Sequence, residues 1–270
     1  MAVTRTVVQI EVDGSQAELA SDALWQARPS AVLEVDLGDG RVRLTADVAD
    51  TALVDAIWAP TLLNVDDDGY LDAWRTWATP IRAGRRTVLH PAWLPGGEAV
   101  GPDDVVLVLD PGRSFGSGSH ESTRLAVALM EDLVAPGVRV LDVGCGSGVL
   151  AALAALLGAT EVVAIDIEPG AVVATEANAA ANAVAERVSA STAGLGDIDG
   201  PFDLVVANIG GGTLFDLAPQ LVARVGPGGW LVLSGVLTER LDALVTACPG
   251  CAELRRVTEA GWSAVALRRG

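Results

Sequence analysis

The segment at positions 138–167 constrains the fold of this chain more than any other. It reads as an apolar strand, a turn with glycines at 144, 146 and 148, an alanine- and leucine-rich helix that ends at Gly158, and a second β-rich strand that ends at Asp166. Glycines in such a turn let the backbone approach a ligand where a Cβ would collide. The helix N-terminus that follows attracts an anionic group, and an acid at the second strand's end can bind both ribose hydroxyls. The segment predicts one βαβ unit with a nucleoside site.

The spacing of the turn indicates which nucleoside it binds. Dinucleotide sites use G-x-G-x-x-G, which surrounds a pyrophosphate, whereas this turn reads D-x-G-x-G-x-G and begins at Asp142. S-adenosylmethionine has no phosphate, but its amino acid end carries an ammonium and a carboxylate. The acid suits the ammonium, and the helix N-terminus suits the carboxylate. The sequence therefore predicts an S-adenosylmethionine site.

Composition is consistent with a soluble enzyme. The 270 residues suit one large domain and one small one. No apolar run reaches the ~18 residues of a membrane span, and the N-terminus lacks a secretory signal, so we expect a cytoplasmic protein. Three cysteines are too few for a disulfide framework. The net charge of −17, with eighteen Arg and no Lys, argues against direct nucleic-acid binding and favours a basic partner.

The N-terminal region has the pattern of a small α+β domain. A strand at 3–12, a helix at 15–28 and two strands at 31–36 and 41–47 are followed by a short helix at 50–58. Gly38-Asp39-Gly40 between the last two strands is a hairpin signal. This β-α-β-β-α order predicts a ferredoxin-like domain over residues 1–60. Residues 61–102, with a polar turn at 64–69 and a possible helix at 70–78, are expected to form a connecting segment.

From about residue 103 to residue 270, strands and helices alternate. This pattern predicts an α/β domain with a parallel sheet covered on both faces and with ligands at the carboxyl ends of its strands. A final antiparallel pair is predicted at 253–258 and 262–269. The other predicted strands are 105–110, 138–143, 161–167, 187–191, 202–209 and 228–236; the predicted helices are 119–134, 148–157, 169–182, 213–225 and 238–247.

Two further segments are expected to converge on the same strand ends. Residues 110–124, D-P-G-R-S-F-G-S-G-S-H-E-S-T-R, form a glycine- and hydroxyl-rich loop that opens a helix, with Ser119 as the expected N-cap and Thr123 one turn later. Residues 202–212, F-D-L-V-V-A-N-I-G-G-G, form a buried strand that ends at Asn208. The Asn208 amide oxygen is placed to accept a hydrogen bond from a substrate amine and to direct its lone pair at a methyl group.

Taken in order, these motifs resemble the PrmA family, bacterial methyltransferases of the eleventh large-subunit ribosomal protein. The resemblance covers residues 103–270 and extends more weakly to Y-L-D-A-W-R at 70–75 and P-A-W at 91–93. It implies a class I methyltransferase with a seven-stranded Rossmann-like sheet, an N-terminal substrate-recognition domain, and methylation of lysine side chains and the α-amine. Asn208 is the predicted catalytic residue. The predicted cofactor-binding residues are Thr123, Gly144, Asp166 and Asn208, with Phe115, Gly116, Ser117 and Gly118 on the methionine side, and Asp142, Gly146 and Ile167.

The chain departs from the family pattern at three places. Ser117 replaces the usual Thr, residues 210–212 are Gly-Gly-Gly where the family continues Leu-Ala, and residues 192–194 lack the acid that the family places after the third strand. The glycine run faces the acceptor, so two alternatives stay open: methylation of another protein amine or a small molecule, and cofactor binding without catalysis. We expect a monomer without a metal site; Cys248 and Cys251 form an isolated C-x-x-C, and His120 is expected to organise the loop.

Overall fold

The chain divides into two compact units, Met1–Ala78 and Thr79–Gly270. The structure, a computed structural model, describes residues 4–26, 32–46, 58–66, 79–96, 101–110, 116, 118 and 120–270. The helix predicted at 70–78, and all but the last residue of the helix predicted at 50–58, lie outside these ranges.

The first unit contains, among its described residues, a four-stranded antiparallel sheet and one α-helix. The sheet has the order β2-β3-β1-β4. Alternating apolar residues of β1 and β3 face the helix, and Val8, Ile10, Leu24 and Leu44 form the centre of this core. The elements are β1 (Thr4–Asp13), α1 (Ala17–Gln26), β2 (Val32–Asp36), β3 (Arg41–Ala46) and β4 (Thr61–Asp66).

The structure changes the domain boundary expected at residue 60. Thr61–Asp66, assigned above to the connecting segment, forms β4 and pairs antiparallel with β1, with Leu63 opposite Val7. The polar residues at the end of this segment resemble a turn in sequence, but an edge strand tolerates them because only one of its edges is paired. The first unit therefore extends past residue 60, to Ala78.

The second unit has, in its described part, the seven-stranded sheet of a class I methyltransferase. The strand order is β10-β9-β8-β11-β12-β14-β13, in which β14 is antiparallel to both of its neighbours and the other pairings are parallel. The strands are β8 (Arg139–Val143), β9 (Glu161–Ile165), β10 (Val188–Ser191), β11 (Phe202–Asn208), β12 (Val225–Leu237), β13 (Cys251–Glu259) and β14 (Trp262–Arg269).

Helices cover both faces of this sheet, as two buried clusters on its opposite sides indicate. The central strands are almost continuously apolar because both of their faces are covered. Within the described residues, no helix is long and apolar enough to cross a membrane. The helices are α2 (Glu121–Leu133), α3 (Val149–Leu157), α4 (Pro169–Ala181), α5 (Gly211–Arg224) and α6 (Leu241–Thr246).

The strand predicted at 105–110 does not belong to the main sheet. It forms β7 (Val105–Leu109) of a separate three-stranded sheet, where it pairs in parallel with β6 (Thr87–Pro91), and β6 pairs antiparallel with β5 (Ile81–Arg82). The side-chain amide of Asn182, the C-cap of α4, hydrogen-bonds to the backbone of Val108 in β7.

The helix that follows the glycine- and hydroxyl-rich loop has its N-cap one residue later than predicted. Its N-cap is His120, not Ser119: His120 has extended backbone angles, and its Nδ1 accepts a hydrogen bond from the Ser122 N–H over 3.2 Å. An imidazole with an unprotonated Nδ1 serves this purpose as a hydroxyl would. The structure thus gives His120 a loop-organising role.

Candidate cofactor-binding and active site

The glycine turn between β8 and α3 has the left-handed backbone that its sequence predicts. Gly144, Gly146 and Gly148 have φ values of 76°, 52° and 77°. A Cβ on Gly144 would lie 2.1 Å from Cγ2 of Ile209, and a Cβ on Gly148 would lie 2.7 Å from Cα of Thr175. The turn is therefore packed between the end of β11 and helix α4, and larger residues would displace it.

Asp166 lies directly beyond the end of β9 and links two backbone segments. Its Oδ2 accepts a hydrogen bond from the Gly146 N–H over 2.9 Å, and its Oδ1 accepts one from the Glu168 N–H over 3.0 Å. The side chain is half-buried. Each carboxylate oxygen has a second lone pair, so Asp166 can hold the glycine turn and still accept ribose hydroxyls. Ile167 beside it is 89 % exposed.

Asp142 lies in β8 beneath the glycine turn and is only 1 % exposed. Neither of its carboxylate oxygens has a partner within hydrogen-bond geometry in the described part of the chain. Burial, with the negative charge of Asp166 as a second cause, raises the pKa of Asp142 to about 7, and the Ala151 backbone N–H of helix α3 lowers this pKa as the smallest of the three effects. Protein atoms enclose the carboxylate in this conformation, and its contact with a ligand ammonium stays a prediction.

Asn208, the last residue of β11, is held by the first turn of α2. Its Nδ2 donates a hydrogen bond to Oγ1 of Thr123 over 3.2 Å, and Thr123 is fully buried. The Asn208 side chain is 7 % exposed, and its Oδ1 has no partner among the described residues. A buried amide oxygen without a donor is costly, so this atom suits a donor group on a ligand.

The loop before α2 contacts the glycine turn directly. Ser147 Oγ donates a hydrogen bond to the Gly116 carbonyl over 2.8 Å, and Gly116 has a φ of 101°. Gly118, with a φ of 82°, lies against Leu89 of β6. Phe115 and Ser117, predicted on the methionine side, lie outside the described residues.

The sequence-predicted residues that the structure describes are thus brought to the carboxyl ends of β8, β9 and β11. Sequence reasoning missed three residues on helix α4, namely Thr175, Asn178 and Asn182, which hydrogen-bond the glycine turn and strand β7. The sequence contains a signal that could have identified these three residues. They recur at helical spacing as polar residues on the face of an alanine-rich helix.

The structure also shows the surroundings of the Trp262 and His120 rings and of the two C-x-x-C thiols. Trp262 is partly buried, and its ring contacts the His120 ring edge-on at 4.7 Å between centroids, while burial lowers the pKa of His120. Burial raises the pKa of Cys248 to about 11 and also raises that of Cys251, which makes both thiols poor nucleophiles. Across the described ranges, no group of three or more His, Cys, Asp or Glu side chains is placed to hold a metal.

The arrangement fits a cationic nucleoside with an amino acid end. The turn supplies close backbone approach, Asp166 supplies acceptors, and the buried Asp142 carboxyl gains from a nearby positive charge when it ionises. Helix α3 begins at Gly148 without a side-chain cap among the described residues, which leaves its first N–H groups for an anionic group.

Comparisons with known proteins give consistent results. The family model described as Ribosomal protein L11 methyltransferase (PrmA) matches residues 8–270. A protein of Geobacter sp. (strain M21) with the name ribosomal protein L11 methyltransferase is 40% identical over 247 residues, which are 88% of this chain and 80% of the relative. One of the same name from Geobacter sulfurreducens is 43% identical over 213 residues, 78% of this chain and 69% of the relative.

A solved structure also matches. The crystal structure of ribosomal protein L11 methylase from Lactobacillus delbrueckii subsp. bulgaricus aligns with a TM-score of 0.66 and 33% sequence identity. The alignment covers 72% of this chain and all of that one.

Proposed function

The chain belongs to the ribosomal protein L11 methyltransferase (PrmA) family, and we propose that it methylates amines of ribosomal protein L11, at lysine side chains, at the α-amine, or at both. It is an S-adenosylmethionine-dependent enzyme. The observation that carries the proposal is the buried Oδ1 of Asn208, which has no partner among the described residues and lies at the same sheet edge as the glycine turn and Asp166.

In this proposal, the residues of the β8–α3 turn hold the cofactor. Asp166 accepts the ribose hydroxyls, the backbones of Gly144 and Gly146 permit close approach, and the first turn of α3 receives the carboxylate. Asp142 stabilises the positive charge from beneath the turn. Thr123 and Asn208 line the methyl end, and the remaining contacts are assigned to Phe115, Gly116, Ser117, Gly118 and Ile167.

Asn208 is the proposed catalytic residue because its orientation is fixed. The cofactor, when bound, would supply an electrophilic methyl group: the nitrogen of a neutral amine would bond to the methyl carbon as the S–C bond breaks and S-adenosylhomocysteine leaves. Thr123 Oγ1 accepts a hydrogen bond from the Asn208 NH₂ group, which leaves Asn208 Oδ1 to accept one from the substrate amine. Such a bond orients the nitrogen lone pair, and orientation of reactants supplies much of the rate in displacement reactions. A lysine with a pKa of ~10.4 must first lose a proton, which a nearby cation and a desolvated site favour.

The proposed role of the first unit is to hold the substrate. Residues 1–78 contain 14 Asp and Glu but only 5 Arg, so this part of the chain is more acidic than the rest. Glu11 and Asp39 are exposed but form ion pairs with Arg41 and Arg43, so the attraction rests on the excess of acidic residues in this part of the chain. An acidic surface attracts a basic protein and speeds the encounter. We further propose that the protein is a cytoplasmic monomer and does not bind nucleic acid directly.

The test is a reaction of the purified chain with purified ribosomal protein L11 and S-adenosylmethionine, read by intact-protein mass spectrometry. The expected result is mass increases in multiples of one methylene, formed more than tenfold more slowly by the Asn208→Ala variant. If the chain binds S-adenosylhomocysteine but leaves L11 unmodified, then its acceptor is another amine or it has no catalytic role, and the proposal is wrong.

A truncation tests the role of the first unit. Deletion of residues 1–78, which ends at the observed boundary, should leave S-adenosylhomocysteine affinity within about twofold while kcat/KM for intact L11 falls by at least about a hundredfold, about 2.7 kcal/mol. A truncated protein that methylates L11 as well as the full chain does would exclude the recognition role.

A further inference from the structure

Helix α4 presents three buried polar side chains on one face. Thr175 and Asn178 lie within the helix, Asn182 is its C-cap, and their spacing of three and four residues aligns them along one side. Thr175 is 0% exposed and Asn178 is 3% exposed. An alanine-rich helix could fill this face with apolar residues, and a buried amide is tolerated only when it is hydrogen-bonded. The polar face therefore has particular partners.

The two asparagines act on β7 as a neighbouring strand would. Asn182 Oδ1 accepts a hydrogen bond from the Val108 N–H over 2.8 Å, and its Nδ2 donates to the Val108 carbonyl over 2.7 Å. Asn178 makes the same pair of bonds to the N–H and carbonyl of Asp110, both at 2.9 Å. Four helical residues rise ~6 Å, close to the ~6.6 Å between alternate residues of a strand, so the two amides match positions 108 and 110.

Asn178 differs from Asn182 in what else it contacts. Its Nδ2 also donates to the carbonyl of Ser147 in the glycine turn over 2.8 Å. Ser147 in turn donates its hydroxyl to the Gly116 carbonyl, so one amide joins Asp110, the glycine turn and Gly116. The third hydrogen bond of Asn182 goes to the Asn178 carbonyl within its own helix.

These bonds fix how the glycine turn presents its peptide groups. The Thr175 hydroxyl lies 3.2 Å from Cys145 Sγ and 3.3 Å from the Gly146 carbonyl and shares its one proton between them, so helix α4 contacts two consecutive carbonyls of the turn, those of Gly146 and Ser147. In a trans peptide the N–H points opposite to the C=O, so the N–H of Ser147 is directed away from α4. Ser147 is fully buried, so loss of the Asn178 bond would leave its carbonyl without a partner.

We propose that Asn178 is a positioning residue for the cofactor site, and that Asn182, with matching contacts to β7, has a structural role only. This inference rests on the proposed function, because it assigns a further residue to the same site. Asn178 touches no reacting atom. It acts through Ser147 and Asp110, by holding the turn in the conformation that receives the cofactor.

The experiment compares Asn178→Asp with Asn182→Asp in the full chain. Aspartate keeps an oxygen for the backbone N–H at 110 or 108 but loses the NH₂ donors, so both variants weaken the contact to β7 in the same way. Calorimetry with S-adenosylhomocysteine should show at least about tenfold weaker binding for Asn178→Asp and less than about twofold for Asn182→Asp. The aspartate charge should lower Tm more at position 178, which is 3% exposed, than at the half-buried position 182. The milder pair Asn178→Ser and Asn182→Ser gives the same comparison if an aspartate variant fails to fold.

Hydrogen exchange supplies a readout that needs no ligand. Peptides that cover 143–150 should exchange faster in the Asn178 variants than in the Asn182 variants, whereas peptides that cover 105–110 should respond equally in both. Equal exchange at 143–150, or affinity losses that follow Tm alike in both pairs, would overturn the positioning role. A wild-type chain that binds no S-adenosylhomocysteine would instead refute the proposed function, a result separate from the exchange comparison.

Discussion

Replacing Asp142 with Asn should stabilise the ligand-free protein, and increasingly so as the pH rises. The Asp142 carboxyl is 1 % exposed, and its neighbours in register on the adjoining strands, Ala164 and Val206, are fully buried. The ionisable groups nearest to it are Asp166, whose negative charge opposes its ionisation, and Cys145, whose thiol pKa is itself raised to about 12, by burial first and then by the Asp142 charge. Ionised Asp142 is therefore unfavourable in the folded chain.

The magnitude follows from the pKa of Asp142. Burial and Asp166 raise it from 3.8 to about 7, and one pKa unit corresponds to ~1.4 kcal/mol, so the ionised carboxyl costs the folded state about 4 kcal/mol. Between pH 4 and pH 7 the folded protein retains a proton that the unfolded chain has released. Stability is therefore lost as the pH rises through this window and levels off above about pH 7.

The assay is urea unfolding of the wild type and of Asp142→Asn at pH 5, 6, 7 and 8, without cofactor. Asparagine resembles the protonated acid in shape and charge, so the two proteins should differ least at pH 5. The free-energy difference should grow by roughly 2–3 kcal/mol in favour of the variant by pH 8. The unfolding transition to be analysed is the one whose midpoint S-adenosylhomocysteine shifts to a higher urea concentration.

Two results would refute the reasoning. One is a difference between wild type and variant that does not change from pH 5 to pH 8, and the other is a variant that becomes the less stable protein at pH 8. A companion measurement tests why the chain keeps the acid: Asp142→Asn should bind cationic S-adenosylmethionine more weakly, because the variant lacks a negative charge beneath the turn.

Three further substitutions test the site. Asp166→Ala should weaken S-adenosylmethionine binding by about 1.5–3 kcal/mol in calorimetry, as expected for hydrogen bonds to a charged group; unchanged affinity would remove Asp166 from the ribose site. Asn208→Ala should lower kcat by more than tenfold while cofactor affinity changes by less than about threefold, since the contact matters most in the transition state; equal losses would make its role structural. Gly144→Ala should lower the free energy of unfolding by about 1–3 kcal/mol because of the positive φ at this position, and by a further amount because the new Cβ clashes with Ile209. Adding Ile209→Ala should recover only the loss that the clash causes. No recovery would show that the clash is absent.

The βαβ unit was predictable because its signals are local. Helix α3 lies between Gly148 and Gly158, as the sequence predicts, because both caps have left-handed backbone angles, which glycine adopts without strain. The predicted order of strands and helices from 138 to 269 is confirmed for the same reason: each element has its own periodicity and is separated from the next by turn residues.

The features that sequence reasoning missed depend on distant partners. Whether Thr61–Asp66 is a strand depends on β1, more than fifty residues earlier. The location of β7 in a separate sheet depends on pairing with β6, and Asn178 bonds a carbonyl 68 residues away. His120 and Ser119 are both able to cap a helix, and the backbone conformation of the loop selects between them. None of these outcomes is encoded in a window of ten or fifteen residues.

Two of the groups assigned to the cofactor and the amine, Asp142 and Asn208, share one physical property: each is unfavourable to the ligand-free fold. Asp142 is a buried acid and Asn208 has a buried amide oxygen, and neither has a hydrogen-bond partner for these oxygens among the residues that the structure describes. The same strands and helix α3 are otherwise among the most completely apolar parts of the chain, which offsets that cost. A cation near Asp142 and an amine at Asn208 would each relieve one of these defects. Local instability at the ends of β8 and β11 is therefore the physical reason for binding there, and packing alone does not account for it.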